Sequence, residues 1–107
     1  MSDLRFTGRM DSDAAARRTA EDQYTLHLRV ALPGGQTGKA ITLRAVKRFG
    51  AGPAAGIACS NRAHHLRRGV RVVLEGSGLS WCRGVAVLEG VDFLDTPDLK
   101  TTRGNTE

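Results

Sequence analysis

The chain has 107 residues, with 16 Lys+Arg against 11 Asp+Glu, a formal net charge of +5 and a pI near 10.0. That length is enough for one small domain; no apolar run approaches the roughly 20 residues that span a bilayer, and the opening MSDLRFTGRM lacks the apolar core of a signal peptide. A cytoplasmic basic domain is expected, with polyanions for partners, and 13 Arg to 3 Lys favours planar forks that match phosphates and stack on bases.

The expected elements, in chain order, begin with a short strand, LRFTGRM (4–10). Leu4 and Phe6 take one face, Arg5, Thr7 and Arg9 the other, and Gly8 marks a bulge or bend. DSDAAARRTAED (11–22) has no strand pattern and is charged at both ends, which reads as a long mobile loop. QYTLHLRVAL (23–32) alternates: Tyr24, Leu26, Leu28, Val30 and Leu32 face a core, and Gln23, Thr25, His27, Arg29 and Ala31 face out. PGGQTG (33–38) is turn chemistry. KAITLRAVKR (39–48) returns with Ile41, Leu43 and Ala45 inward and Thr42, Arg44, Val46 and Arg48 outward, so 23–48 forms a long hairpin.

FGAGPAAGIAC (49–59) is too rich in Gly and Pro to be regular. SNRAHHLRR (60–68) follows as a two-turn helix, with Ser60 or Asn61 as N-cap, Arg67 and Arg68 in the last turn, and Gly69 as its stop. VRVVLEG (70–76) is a strand, SGLSWCRG (77–84) a hairpin tip, and VAVLEGVDFL (85–94) the last strand. The domain then spans 1–95 and a disordered polar tail 96–107. Three strands, a helix and two strands is the order of an all-β OB-fold, a five-stranded Greek-key barrel with one short helix between strands 3 and 4.

The spans 4–9, 23–32 and 39–48 hold Arg5, Arg9, Arg29, Lys39, Arg44, Lys47, Arg48 and His27, and no Asp or Glu. Exposed charge is usual on a solvated sheet face, but one sign of charge on one face repels itself. The absence of acids therefore favours a binding surface, on the face where OB-folds take oligonucleotides. Single strands also need aromatic platforms. Phe6, Phe93 and Tyr24 fall on apolar phases and are assigned to the core. Trp81, at a hairpin tip beside Arg83, is assigned to stacking. Phe49, after Lys47-Arg48, is open to either role.

Cys59 and Cys82 lack CxxC spacing and read as reduced thiols. No P-loop, paired-carboxylate or triad spacing is present, so no enzyme is expected. His64 and His65 with Cys59 suggest a metal, but adjacent histidines on a helix point about 100° apart; no metal and no cofactor are expected.

Taken together, FTGRM, VKRFG, LRRGVRVVLEG, SGLSWCRG and VDFLD resemble, in order and spacing over about 4–95, the bacterial single-stranded DNA-binding proteins, especially the short plasmid-encoded kind. The resemblance implies that Phe49 and Trp81 match base-stacking aromatics, and that Arg44, Lys47 and Arg48 match a groove for the DNA backbone. It also implies a homo-oligomer, a dimer or a tetramer built from dimers, with the first strand at the dimer interface. The chain departs from the family in its short last hairpin, in lacking a further aromatic in strand 2 or 3, and in a tail with three acids and two basic residues instead of an acidic peptide. A short basic OB-fold is also similar to primosomal replication protein B. Neither resemblance separates DNA from RNA, since no feature that reads a 2′-hydroxyl is visible. An OB module whose basic face docks an acidic protein is the remaining alternative.

Overall fold

The computed structural model describes residues 4–33 and 41–97. In chain order the elements are β1 (Leu4–Met10), β2 (Ala15–Arg18), β3 (Gln23–Leu32), β4 (Ile41–Ala51), α1 (Pro53–His65), β5 (Arg71–Cys82) and β6 (Val85–Asp95). The strands lie in one sheet in the order β1-β5-β6-β4-β3-β2, and a further pairing of β1 with β3 brings the sheet round on itself. All neighbours are antiparallel except β4 and β6. The fold is mostly β and OB-like.

Ring closure is narrow. It consists of Arg9↔Ala31 and Met10↔Val30, while the rest of β1 runs along β5 from Leu4↔Gly76 to Arg9↔Arg71. Gly8 makes it possible, since a Cβ there would lie 2.4 Å from the Ala31 carbonyl oxygen and 2.8 Å from Val30 Cγ1. The bulge expected at Gly8 is absent: the register with β5 runs through it without a shift. Glycine serves here to bring two backbones together.

The inward row follows the alternation. Leu26, Leu28, Val30, Leu43 and Ala45 from the β3–β4 pair are buried, joined by Met10, Val72, Leu74, Ala86, Leu88 and Val91. Leu4, Phe6, Tyr24 and Phe49 pack against this core from its edges. Phe93 does not: it stands opposite Glu75 and is 43% exposed, because the register shift between Glu75 and Gly76 makes Asp92 an extra residue on β6. Its assignment to the core is corrected, since alternation cannot register an inserted residue.

Four boundaries also change. Residues 11–22, expected as a mobile loop, contain β2, which pairs Ala15–Arg18 with Tyr24–His27. The same stretch is tied down by an Asp11 N–H donating to the Arg29 carbonyl (2.8 Å), an Ala14 N–H donating to Leu66 (2.9 Å), and an Arg68 N–H donating to Asp13 Oδ1 (2.8 Å). The sheet thus has six strands, not five.

The helix starts at Pro53, not Ser60, and ends at His65, ahead of Arg67 and Arg68. Proline is well suited to the first turn of a helix, and Gly56 lets Tyr24 lie against it, its ring Cζ 2.8 Å from where a Cβ would be. Buried Cys59 and Leu66 carry the helix end into the core. β4 runs on to Ala51, and β5 continues unbroken to Cys82. The hairpin tip is only Arg83-Gly84, both at positive φ (53° and 80°), the pattern of a two-residue type I′ turn. The 33–38 turn beyond Pro33, residues 39–40 of the expected return strand, and the tail from 98 lie outside the described residues.

Candidate nucleic-acid interface

Register places the outward side chains in rows across the sheet. Arg17 (β2), Thr25 (β3) and Arg48 (β4) form one row, and Ala15, His27 and Val46 the next. A third row holds Arg29, Arg44, Val87 (β6) and Ser80 (β5). The fourth runs Thr42, Ala31, Arg9 (β1), Arg71 (β5). A groove of about 520 Å³ lies over the second and third rows, lined by His27, Arg29, Arg44, Ser80 and Cys82, and also by the acids Asp13 and Glu89.

The surface is less uniformly cationic than strands 1 to 3 suggest, because folding brings acids to it from elsewhere. Arg29 Nε lies 3.1 Å from Asp11 Oδ2, and Arg5 Nη1 lies 3.7 Å from Glu75 Oε2. Arg9 Nη1 donates to the Gly69 carbonyl at 3.1 Å. Arg44, Arg48 and Arg17 form no ion pair with any described residue. Two of these three were expected. Arg17 was missed because AARR is too short and too charged to show alternation; only its pairing with Thr25 places it on this face.

His27 is held by its neighbours. Its Nε2 lies 2.9 Å from Thr25 Oγ1. Partial burial pushes its pKa below the ordinary 6.5, and the charges of Arg17 and Arg44 push it the same way. The ring is therefore uncharged at neutral pH and adds a polar group, not a cation, to the groove.

The two aromatics differ. Phe49 is half-buried against the core, with Lys47 Nζ 5.8 Å from its ring centroid, a cation–π geometry that occupies one face of the ring. Trp81 is 68% exposed. It is not at the tip, however. It belongs to β5, opposite Ala86, and so it lies on the face of the hairpin away from Ser80 and Cys82, which line the groove with Arg44. Leu79 (41% exposed) shares its side, and Ile41 (46% exposed) continues that side on β4. Arg83 occupies the tip between the two faces.

The helix histidines stand apart: their ring centroids are 6.2 Å apart at 85°, His65 Nδ1 lies 2.8 Å from the Asn61 carbonyl, and Cys59 is buried, with its thiol pKa raised by that burial. Among the described residues no helix is long and apolar enough to cross a membrane.

No family model matches the chain, and no curated protein sequence matches it. A solved structure does. The SSB domain of a Synechococcus sp. protein superposes with a TM-score of 0.65 at 19% identity, covering 88% of this chain and 93% of that one. The chain has the fold of an SSB domain.

Proposed function

We propose that the chain binds single-stranded DNA without sequence preference and protects it during replication, repair or plasmid transfer. The observation that carries this reading is the pairing of a cationic sheet face with an exposed aromatic. Arg17, Arg44 and Arg48 have no acidic partner among the described residues, and Trp81 stands out from the adjoining hairpin with its ring uncovered. Guanidinium groups that gain nothing from the fold are available to phosphates. An exposed indole offers a face to any base, which makes its contribution tolerant of sequence. Because the groove and Trp81 lie on opposite faces of the β5–β6 hairpin, the strand passes around the tip, past Arg83, to meet both.

Self-association belongs to the same reading. Residues 4–8 of β1 have β5 on one edge and no described strand on the other, and an open edge invites a second copy.

The test is anisotropy of a labelled dT oligomer at several salt concentrations, with an rU oligomer, a DNA duplex and poly-glutamate as competitors. Tight, salt-sensitive binding that duplex and poly-glutamate fail to displace supports the reading. Displacement by poly-glutamate as effectively as by dT would make the cationic face a protein-docking surface instead. Light scattering at tens of micromolar, expected to give at least a dimer of the 11.5 kDa chain, tests self-association.

A further inference from the structure

We infer that Arg9 and Arg71 form a second phosphate-binding site, on the β1–β5 wall beyond the main groove, which takes the backbone of the single strand as it leaves that groove. The inference rests on the single-stranded nucleic-acid reading above.

Arg9 and Arg71 are direct cross-strand partners on the outward face. Directly opposed side chains have Cβ atoms about 5 Å apart, and like charges at that distance destabilise a sheet. The structure relieves such repulsion elsewhere. The other cross-strand arginine pair, Arg29 and Arg44, has Asp11 on Arg29, and Arg5 has its cross-strand partner Glu75. No described acid pairs with Arg9 or Arg71. Of the acids near in chain and register, Asp11 is engaged by Arg29 and Glu75 by Arg5, while Asp95, opposite Val73 on β6, accepts from the Thr96 N–H and pairs with neither arginine. Arg9 is steadied by its bond to the Gly69 carbonyl, which leaves the rest of its guanidinium free. Two unneutralised guanidinium groups across one ladder position, one of them steadied, suit a single phosphate held between them.

The surroundings also fit. A groove of about 400 Å³ runs along the β1–β3 seam, lined by Thr7, Arg9, Ala31, Pro33 and Arg71. It is continuous in register with the main face. From Arg44 on β4 the path crosses to Arg29 on β3, steps two residues to Ala31, and crosses β1 at Arg9 to reach Arg71 on β5. Three strand spacings of about 4.8 Å and one two-residue step put its ends roughly 15 Å apart. Gly8 is what brings β1 close enough to β3 for the path to cross the seam.

The experiment compares the wild-type chain with Arg71→Ala and Arg9→Ala, using dT oligomers of about 4 and about 16 nucleotides, the range of site sizes for one OB-fold. The longer oligomer should bind Arg71→Ala on the order of tenfold more weakly, with a salt slope smaller by roughly 0.7. The shorter one, filling the main groove alone, should bind it unchanged. Arg71→Ala should also melt no lower than wild type, because it removes a repulsion; a lower melting temperature would mark Arg71 as structural and overturn the inference. Unchanged affinity and slope for the longer oligomer would overturn it while leaving the main reading intact. Loss of poly-glutamate binding without loss of dT binding would assign the pair to an acidic protein and overturn it too. A wild-type chain that binds neither oligomer defeats the single-strand reading itself, and this inference with it.

Discussion

The β3–β4 wall and the distal half of β5 are written in the same alternation, yet they end in opposite environments. On the wall, Leu26, Val30 and Leu43 are fully buried. On β5, Leu79 and Trp81 occupy the matching phase, opposite Leu88 and Ala86, and are exposed. The difference lies in what the strand has beside it. β1 begins at Leu4, opposite Gly76, so β5 runs on from 77 to 82 with β6 as its only described neighbour. Inside the ring an inward side chain meets the far wall; past the ring it meets solvent. Alternation reports which face a residue takes, and ring closure decides whether that face is a core.

The largest test of this contrast pairs two leucines. Leu43→Ala should cost about 2–5 kcal/mol of stability, as a large-to-small change at a filled site. Leu79→Ala, on the same phase but past the ring, should stay within about 0.5 kcal/mol. Equal losses in denaturant unfolding would mean that β5 is packed along its whole length.

Ring closure itself can be stressed. Gly8→Ala places a methyl against the Ala31 carbonyl, which is backbone and cannot rotate away. It should destabilise by about 1–3 kcal/mol, and a thermal melt matching wild type would show that the β1–β3 seam yields freely. Arg44→Ala and Arg48→Ala then separate charge from structure on the wall. Each should lower the salt slope of dT binding by roughly 0.7 with little change in melting; weaker binding at an unchanged slope would remove them from the phosphate contacts.

The smallest effect is that of His27. Its folded pKa lies below its unfolded value, so the unfolded chain binds the proton more readily. The resulting penalty is absent well above pH 6.5, grows as pH falls through that value, and is complete below the folded pKa. His27→Gln should therefore lose less stability than wild type on acidification from pH 7.5 to 5. Parallel pH profiles for the two would show that neither burial nor the charges of Arg17 and Arg44 lower the pKa of this ring.

Much of the fold was legible in the residues. Tyr24 to Leu32 alternate strongly enough to give both the strand and its buried face, and the strand–helix–strand order gives the OB-like arrangement. The misses share a cause: each depends on a partner outside the segment itself. β2 exists because Arg17 and its neighbours pair with Thr25 and its neighbours. The helix reaches back to Pro53 because Gly56 receives the Tyr24 ring. Phe93 turns outward because of a register shift against β5. The site was legible in part for the same reason. Arg44 and Arg48 follow from alternation, whereas the neutralisation of Arg5 and Arg29 by Glu75 and Asp11, and the position of Arg71 beside Arg9, appear only in the folded sheet.

The central claim is that bases stack on Trp81 while the wall holds phosphates. Trp81 is the chain's only tryptophan, so its fluorescence reports on that contact directly. Titration with a dT oligomer at several salt concentrations should quench it saturably, with an affinity that falls as salt rises. Trp81→Ala, followed by anisotropy of the labelled oligomer, should bind about 1–3 kcal/mol more weakly while melting close to wild type. An indole signal that stays unchanged as the oligomer binds, or a Trp81→Ala chain that melts far earlier yet binds as tightly once folded, would contradict the claim.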